Sequence, residues 1–533
     1  MQFKKIISLI SAILPIFYGF WIPCVQATTP GDIQSHWAKR DIETALNLGI
    51  AGNYPDGTFE PDQMITRAEF IKILVNAGWV NPFPPNAQPT FRDVGRAHWA
   101  YPYVEAAVYS GIVPIEGNTG HFFGPDRPIT RSEMATLVGR LMVVEHLPGV
   151  PATVDDQRIN WSAVLKEKGI ILGYPDGNLE ENRGLTRAEA CVVILRLKEQ
   201  LLAAQTERER QWISSAQSND GYITMSGGRQ DIDPYFENLT EMAQLGQSEY
   251  LDGVKKYLQW ALSNLNQPDI WGLNGTIYNY RLTNGVIQSV YSYDSADSYA
   301  ATLLSLAAAY YHSSGDSKFI LEHYQEFTTI SEIITTLQDK DGLVWTKPNS
   351  QFKYLMDNCE NYRGLKDWSS LLSSLGYKDQ SELCDSKAEL IRNGILKQLW
   401  DDNTTSFAWA MDNQGKKYLL SRGQSYPGVF AQIYPVTFGV IAPTSDKAIL
   451  SYQKLNNELP NWAELEVGDP FPWAILGYAA VNMGDLARAD RFLENCRSTY
   501  IFTDHKYPWS TFEDAFYIRA CDALQKSICS DFN

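Results

Sequence analysis

Three short segments, ITRAEF at Ile65–Phe70, ITRSEM at Ile129–Met134 and LTRAEA at Leu185–Ala190, recur about sixty residues apart and then never again in the chain. Recurrence at such a period marks a structural unit that cannot bury its apolar face alone and must stack on its copies. The similarity extends outward from these segments. Copy one reads DIQSHWAKRDIETALNLGIAGNYPDGTFEPDQMITRAEFIKIL, copy two runs from FRDVGRAHWAYPYVEAAVYSGIV to GHFFGPDRPITRSEMATLVGRL, and copy three reads INWSAVLKEKGIILGYPDGNLEENRGLTRAEACVVILRL. Each gives an amphipathic helix, a Gly-rich turn and a second helix.

Two letters of the short motif have a local cause. Thr66, Thr130 and Thr186 suit the N-cap, with Glu69, Glu133 and Glu189 three places later to close a capping box before an apolar run. Arg67, Arg131 and Arg187 then fall at the first helical position, where a cation opposes the helix dipole. Their purpose must lie outside the helix. Either the guanidinium and the free amides beside it receive a carboxylate or phosphate, or the arginine forms a salt bridge to another repeat.

Length and charge bound the rest. A chain of 533 residues is too long for one core, so two or more domains are expected. The formal charge of -17 becomes more negative still if the leader containing Lys4 and Lys5 is removed, and there is no Lys/Arg run, so nucleic acid is not an expected partner. Residues 1–27 read as a secretory signal: a basic start, an apolar stretch from Ile6 to Ile22, and V-Q-A ending at Ala27. The rival is a retained anchor, because the apolar run is almost long enough to span a bilayer. No membrane association is expected once the signal is cleaved. Apart from Cys24, six cysteines remain, Cys191, Cys359, Cys384, Cys496, Cys521 and Cys529, which outside the cytoplasm admit fifteen pairings. There is no CxxC and no Cys/His cluster, so no metal and no cofactor are expected.

On HWA, G-I-x-x-G-x-x-D-G-x-F-x-P and ITRAE in that order, residues from about 30 to 200 resemble three S-layer homology repeats, at 30–79, 89–147 and 151–200. The resemblance implies a three-fold pseudo-symmetric helical bundle on the cell surface that holds a secondary cell-wall polysaccharide, often acidic. It implies that Trp37 and Trp99 contact the sugar, that Arg67, Arg131 and Arg187 pair its acid group, and that YPDG at Tyr54–Gly57 and Tyr174–Gly177 shapes the groove. Two departures reduce the number of complete pockets: copy three has Gln157 where the others have Trp37 and Trp99, and copy two lacks YPDG.

Beyond residue 205 the texture changes. Periodicity and breakers predict twelve helices, at about 201–217, 234–245, 249–266, 295–313, 318–338, 359–375, 380–400, 427–440, 445–458, 470–483, 485–499 and 511–526. Every second helix, such as SADSYAATLLSLAAAYY, is apolar most of the way round, while the intervening ones carry one apolar stripe, as inner and outer helices should. Loops leading into the inner set are long and rich in Gly, Asp and aromatics. Six such hairpins describe an (α/α)6 toroid over 205–533, similar in architecture to the six-hairpin glycosidases; an open helical solenoid has the same pattern. The whole chain is expected to be all-α.

Acidic residues gather where the long loops enter the inner helices: Asp233, Asp294, Asp297, Asp357, Glu360, Glu464, Glu466, Asp469, Glu513 and Asp514. Glycoside hydrolysis needs two carboxyl groups, one protonated and one ionised, and the candidates are Asp294, Asp297, Asp357 and Glu360. The competing explanation is capping, since acids favour helix starts regardless of function. Aromatics share these loops, and Trp271, Tyr293, Trp345, Tyr362, Tyr426, Trp473 and Trp509 are candidates to contact a sugar, with Arg363 suited to an acidic one. Together these features describe a wall-anchored surface protein whose second domain hydrolyses a polysaccharide or oligosaccharide. The alternatives are a non-catalytic surface-layer or glycan-binding protein, and a lyase on the same scaffold, which would lean on Tyr, His or Arg.

Overall fold

The computed structural model describes residues 29–80, 88–115, 122–151, 153, 158–174, 177–225, 229–421 and 423–529. The expected leader, Gln157 and the Pro-Asp pair of the second YPDG lie outside the described residues.

The repeats supply α1 (Lys39–Asn47), α2 (Arg67–Ala77), α3 (Tyr101–Tyr109), α4 (Arg131–Val144), α5 (Trp161–Glu167) and α6 (Arg187–Ser215). The capping boxes form as the sequence requires. Thr66, Thr130 and Thr186 each accept from the amide of Glu69, Glu133 and Glu189, and each glutamate side chain returns to the N-cap amide. The three copies close on one another through a cyclic set of backbone bonds. Ile65 N donates to Leu185 O (2.9 Å), Leu185 N to Ile129 O (3.0 Å), and Ile129 N to Ile65 O (3.1 Å). That triangle needs three copies, which is the physical reason the motif appears three times.

The expected bridge at 201–217 is not a separate helix: α6 runs without a break from the third repeat into the second domain. The repeats are also packed against that domain. Lys198 on α6 is fully buried, 2.7 Å from Asp490, which also accepts from Trp79 Nε1 at 2.9 Å.

The second domain continues with α7 (Pro234–Gln244), α8 (Leu251–Ser263), α9 (Ala296–Ser314), α10 (Ser317–Glu322), α11 (Tyr324–Leu337), α12 (Leu355–Ser374), α13 (Lys378–Gly394), α14 (Tyr434–Thr437), α15 (Asp446–Glu458), α16 (Ile475–Asn482), α17 (Leu486–Thr499) and α18 (Thr511–Cys529). The inner helices α7, α9, α12, α14, α16 and α18 each pack on the next, and α18 returns to α7, so the ring is closed and the open solenoid is excluded. Outer helices α6, α8, α11, α13, α15 and α17 lie around it. The difference read from sequence is plain: inner α9 buries 14 of its 19 residues, outer α13 only 5 of 17.

Several predicted helices are shorter or broken. The segment 427–440 is a chain of short turns ending in the four-residue α14, because Pro427 and Pro435 remove donors a continuous helix needs. Pro470 and Pro472 likewise delay α16 to Ile475. The span 318–338 divides at His323 into α10 and α11.

The loops carry small strands that the all-α reading omits: β1 (Asp231–Ile232), β2 (Tyr280–Thr283), β3 (Val286–Ser289), β4 (Phe352–Tyr354), β5 (Trp400–Asp401), β6 (Ser406–Phe407), β7 (Ala410–Asp412) and β8 (Lys417–Tyr418). They pair antiparallel in the orders β1-β2-β3, β4-β7-β8 and β5-β6. The six cysteines among the described residues are free thiols, so none of the fifteen pairings is formed. No helix among the described residues is long and apolar enough to cross a membrane.

Candidate functional site

The start of α9 and the first two turns of α12 lie side by side in the ring, and Gly364 sets how closely. A Cβ there would stand 2.5 Å from the carbonyl of Ala301 on α9, so only glycine permits this approach. The approach brings the four predicted acids into one cluster, on neighbouring helices rather than across the bore. The structure sorts them by depth. Asp294 is exposed and Asp357 half-buried, whereas Asp297 and Glu360 are buried beneath them.

Each buried acid has a neutral hydrogen-bond donor from another inner helix. Asn361 Nδ2 donates to Asp297 Oδ2 at 2.7 Å, and the Tyr235 hydroxyl on α7 donates to Glu360 Oε1 at 2.6 Å. Asp297 Oδ1 and Glu360 Oε2 are buried and make no hydrogen bond among the described residues. No cation pairs with any of these acids among the described residues, so burial favours their neutral forms. Burial, then repulsion from Asp294, holds the Asp357 carboxyl up to about 7. Burial, then Asp357, pushes Glu360 up to about 8 against the pull of Tyr235. Burial, then Asp357, raises Asp297 well above the ordinary range.

The other rim acids are engaged with backbone amides or with neighbouring side chains. Asp233 caps α7 through the Tyr235 amide and accepts from Asn279 Nδ2 at 3.0 Å; burial raises it to about 6. Glu513 accepts from the amides of Trp473 and Ala474, and Asp469 from that of Phe471. Glu464 pairs with Arg491, Glu466 accepts from Asn461, and Asp514 turns outward toward α6. Capping therefore explains much of the acidic rim, but not the α9–α12 cluster.

The aromatic candidates also divide. Tyr426 is 53 % exposed, lies against Trp473 with ring centres 5.2 Å apart, and is close enough to Asp357, Asp294 and Asp469 to feel their charge. Trp271 and Trp345 are half-buried, each under a lysine (Lys347 and Lys353). Tyr293 is buried with its hydroxyl on Asp269, a brace within its loop. Tyr362 faces Glu389 and Arg392 of outer helix α13, Arg363 pairs with Asp367 deeper along α12, and Trp509 is fully buried with its Nε1 on Asp514. These three stand away from the mouth for different reasons: Tyr362 points to the outer layer because a helix rotates successive residues by about 100°, Arg363 lies deeper along α12 near Gly439, and Trp509 is packed inside the loop before α18. Sequence reasoning missed Tyr235 and Asn361; both follow an acid at an inner-helix start, the position that already flagged Asp297 and Glu360.

In the repeats each arginine reaches the glutamate of another copy. Arg67 Nη1 lies 3.2 Å from Glu133 Oε1, Arg131 Nη1 3.5 Å from Glu189 Oε1, and Arg187 Nη1 3.3 Å from Glu69 Oε1. Their Nε groups donate to the carbonyls of Phe123, Leu179 and Phe59. Each glutamate therefore caps its own helix with one oxygen and binds a neighbouring repeat with the other. In copies one and three the YPDG tyrosines, Tyr54 and Tyr174, brace that second oxygen; in copy two, which lacks YPDG, Arg127 binds Glu133 instead. Of the inferred sugar contacts, Trp37 (67 % exposed) and Trp99 (51 %) stand free on the surface. Each follows a histidine, His36 or His98, whose Nδ1 accepts the amide of Ala38 or Ala100 at 3.1 Å. A cavity of about 460 Å³ lined by Asp32, Ser35, His36, Glu60 and Asp62 opens beside Trp37.

The S-layer homology domain family matches residues 31–71 and 90–135. A cellulosome-anchoring protein of Acetivibrio thermocellus is 33 % identical over 153 residues, 28 % of this chain and 33 % of its own. An S-layer protein of Bacillus licheniformis is 34 % identical over 169 residues, 30 % of this chain and 18 % of its own. The chain thus spans a third or less of these relatives' length. Among solved structures, a glycosidase in complex with glucose aligns at TM-score 0.45 and 12 % identity, covering 61 % of this chain and 96 % of its own. A metal-independent α-mannosidase structure from Streptococcus pneumoniae aligns at 0.47 and 12 %, covering 62 % and 94 %. The chain joins repeats similar to the S-layer homology domain family, matched over residues 31–71 and 90–135, to a closed helical toroid.

Proposed function

We propose that the protein is a cell-surface glycoside hydrolase, held on a wall polysaccharide by its repeats and hydrolysing a glycan at the mouth of the toroid. The observation that carries this reading is the carboxyl cluster where α9 and α12 approach at Gly364, with the half-buried Asp357 beside the exposed Asp294; burial and Asp294 hold the Asp357 carboxyl up to about 7. Asp357 is then the general acid toward the glycosidic oxygen, and Asp294 the carboxylate that activates water or attacks the sugar carbon. Asp297 and Glu360 feel the charge of Asp357 and stay neutral beneath it, which leaves Asp294 as the charge that helps Asp357 hold its proton. Tyr426 and Trp473 offer the sugar an aromatic face. The names of the matched family and relatives support attachment at the cell surface, with Trp37 and Trp99 as contacts to the wall polymer and the three arginines holding the geometry of the grooves between repeats.

Release of reducing sugar from a panel of wall and plant glycans, by wild type and Asp357→Asn, tests the hydrolytic half. Release surviving in the variant removes Asp357 from the chemistry, and retention of glycan without release by wild type favours a binding protein. A pull-down with wall polymer by wild type and a Trp37→Ala, Trp99→Ala double variant tests the tether.

A further inference from the structure

The junction between α6 and α18 holds a group that neither hydrolysis nor wall attachment uses. Glu209 on α6 is 2 % exposed and Asp514 on α18 fully buried, and their carboxyls approach each other. His505, from the loop before α18, brings its Nε2 to 2.7 Å from Glu209 Oε2. One donor atom from each of the three lies within 4.8 Å of the other two.

The outer side of every member is held. Gln205 Nε2 donates to Glu209 Oε1 at 2.7 Å, Trp509 Nε1 donates to Asp514 Oδ1 at 3.3 Å, and Trp212 stacks on the His505 ring at 3.9 Å with the planes 8° apart. One oxygen of each carboxyl is thereby anchored and the other left toward the centre. Asp514 Oδ2 is buried and, apart from the Glu209 carboxyl that faces it, meets no hydrogen-bonding group among the described residues. The backbone of Asp504 and His505 is left-handed (φ 62° and 51°), a conformation that persists only where surrounding contacts impose it.

Two carboxyls facing each other in a dry site need positive charge beside them, from a shared proton, the imidazole or a metal ion. An imidazole as third donor, with each donor oriented from outside by a hydrogen bond or a stacked ring, is the arrangement transition-metal sites use. We propose that Glu209, His505 and Asp514 bind one divalent transition-metal ion of the zinc class. The mixed nitrogen and oxygen set disfavours calcium and magnesium, which take oxygen donors. Bonds of about 2.0–2.1 Å put tetrahedral donors roughly 3.3 Å apart, so metal entry replaces the His505–Glu209 hydrogen bond and widens it by about half an ångström. The ion ties the last loop of the toroid rim to the helix that arrives from the repeats.

The test uses the full chain, stripped with a chelator and then titrated with Zn²⁺ and separately with Co²⁺. The expected result is one tightly held zinc per chain, a rise in Tm on zinc addition, and the visible absorption of four-coordinate cobalt. Asp514→Asn and His505→Gln should each weaken zinc binding by at least about tenfold, leaving only weak sites on the acidic surface. The wild-type cobalt spectrum and zinc stoichiometry stand independently of whether a variant folds. Absence of both from wild type, or equal zinc affinity in Asp514→Asn, overturns the proposal and assigns the cluster a shared proton.

Discussion

Glu133 in the repeats and Glu360 in the toroid are the same residue type in α-helices of one chain, and their carboxyls are driven in opposite directions. Burial tends to raise Glu133, but Arg127, the Thr130 amide and Arg67 together bring it down to about 2. Glu360 has a tyrosine hydroxyl for company and no cation, and rises to about 8. The first carboxylate is a fastener, ionised wherever the protein is folded. The second belongs to a cluster in which protons are held in reserve, as acid catalysis at neutral pH requires. Whether an arginine is within reach decides between the two uses.

The sharpest way to break this contrast is at the mouth. Asp357→Asn removes the proton of the proposed acid, and sugar release should fall by about 10²–10⁴-fold, with little change in the Kd of a bound oligosaccharide. In wild type, kcat should decline as pH rises through about 7, where Asp357 loses its proton; a flat profile from pH 6 to 9 argues against that assignment.

The next largest effect belongs to the repeats. Arg187→Ala strips the buried partner from Glu69 and the donors from the carbonyls of Phe59 and Gly52, and should cost about 2–4 kcal/mol of stability in denaturant unfolding. Arg187→Met paired with Glu69→Gln should recover part of that loss, since no charge is then left alone.

A smaller effect concerns pH and has opposite signs in the two regions. Glu133 is depressed, so its stabilisation is complete above the unfolded carboxyl value near 4.3 and is lost as pH falls toward about 2. Glu241, buried on α7 and raised to about 8 by burial, contributes stability that is complete below the unfolded value and is lost as pH climbs through 8. Glu241→Gln should therefore stabilise the protein by about 1–2 kcal/mol at pH 9 and change little at pH 4; equal effects at both pH values would show that Glu241 does not titrate in this way. Smallest of all is Asp252→Asn, which breaks an exposed pair with Lys256 and should shift stability by no more than about 0.5 kcal/mol.

Much of the architecture is legible because it rests on local rules. Thr66, Thr130 and Thr186 announce capping boxes by spacing alone, and the inner helices declare themselves through an all-round apolar surface like that of α9. Where local rules conflict, the reading slips: the apolar content of 427–440 suggests one helix, but Pro427 and Pro435 prevail and leave short turns. The candidate acids were legible as a group but not by role. An acid at an inner-helix start looks the same in sequence whether it accepts backbone amides of its own helix, as Asp233 does, or of another element, as Glu513 does, or stands apart from them, as Glu360 does. Tyr362, Arg363 and Trp509 show a related ambiguity, because adjacency to a predicted rim does not say which way a side chain faces or how deep it lies.

By itself the sequence determined the units: three copies of one helical pair, six helical hairpins after them, the residues that start each helix, and an excess of acid with no basic patch to offset it. Tertiary structure alone decided how those units meet. It turned each repeat's arginine toward another repeat's glutamate, ran α6 unbroken through the expected boundary, and gathered Asp294, Asp297, Asp357 and Glu360 where α9 and α12 approach at Gly364. The reason is that helix starts and apolar stripes are set by neighbours three or four residues away, whereas the fate of a charge is set by whatever packs against it from hundreds of residues away.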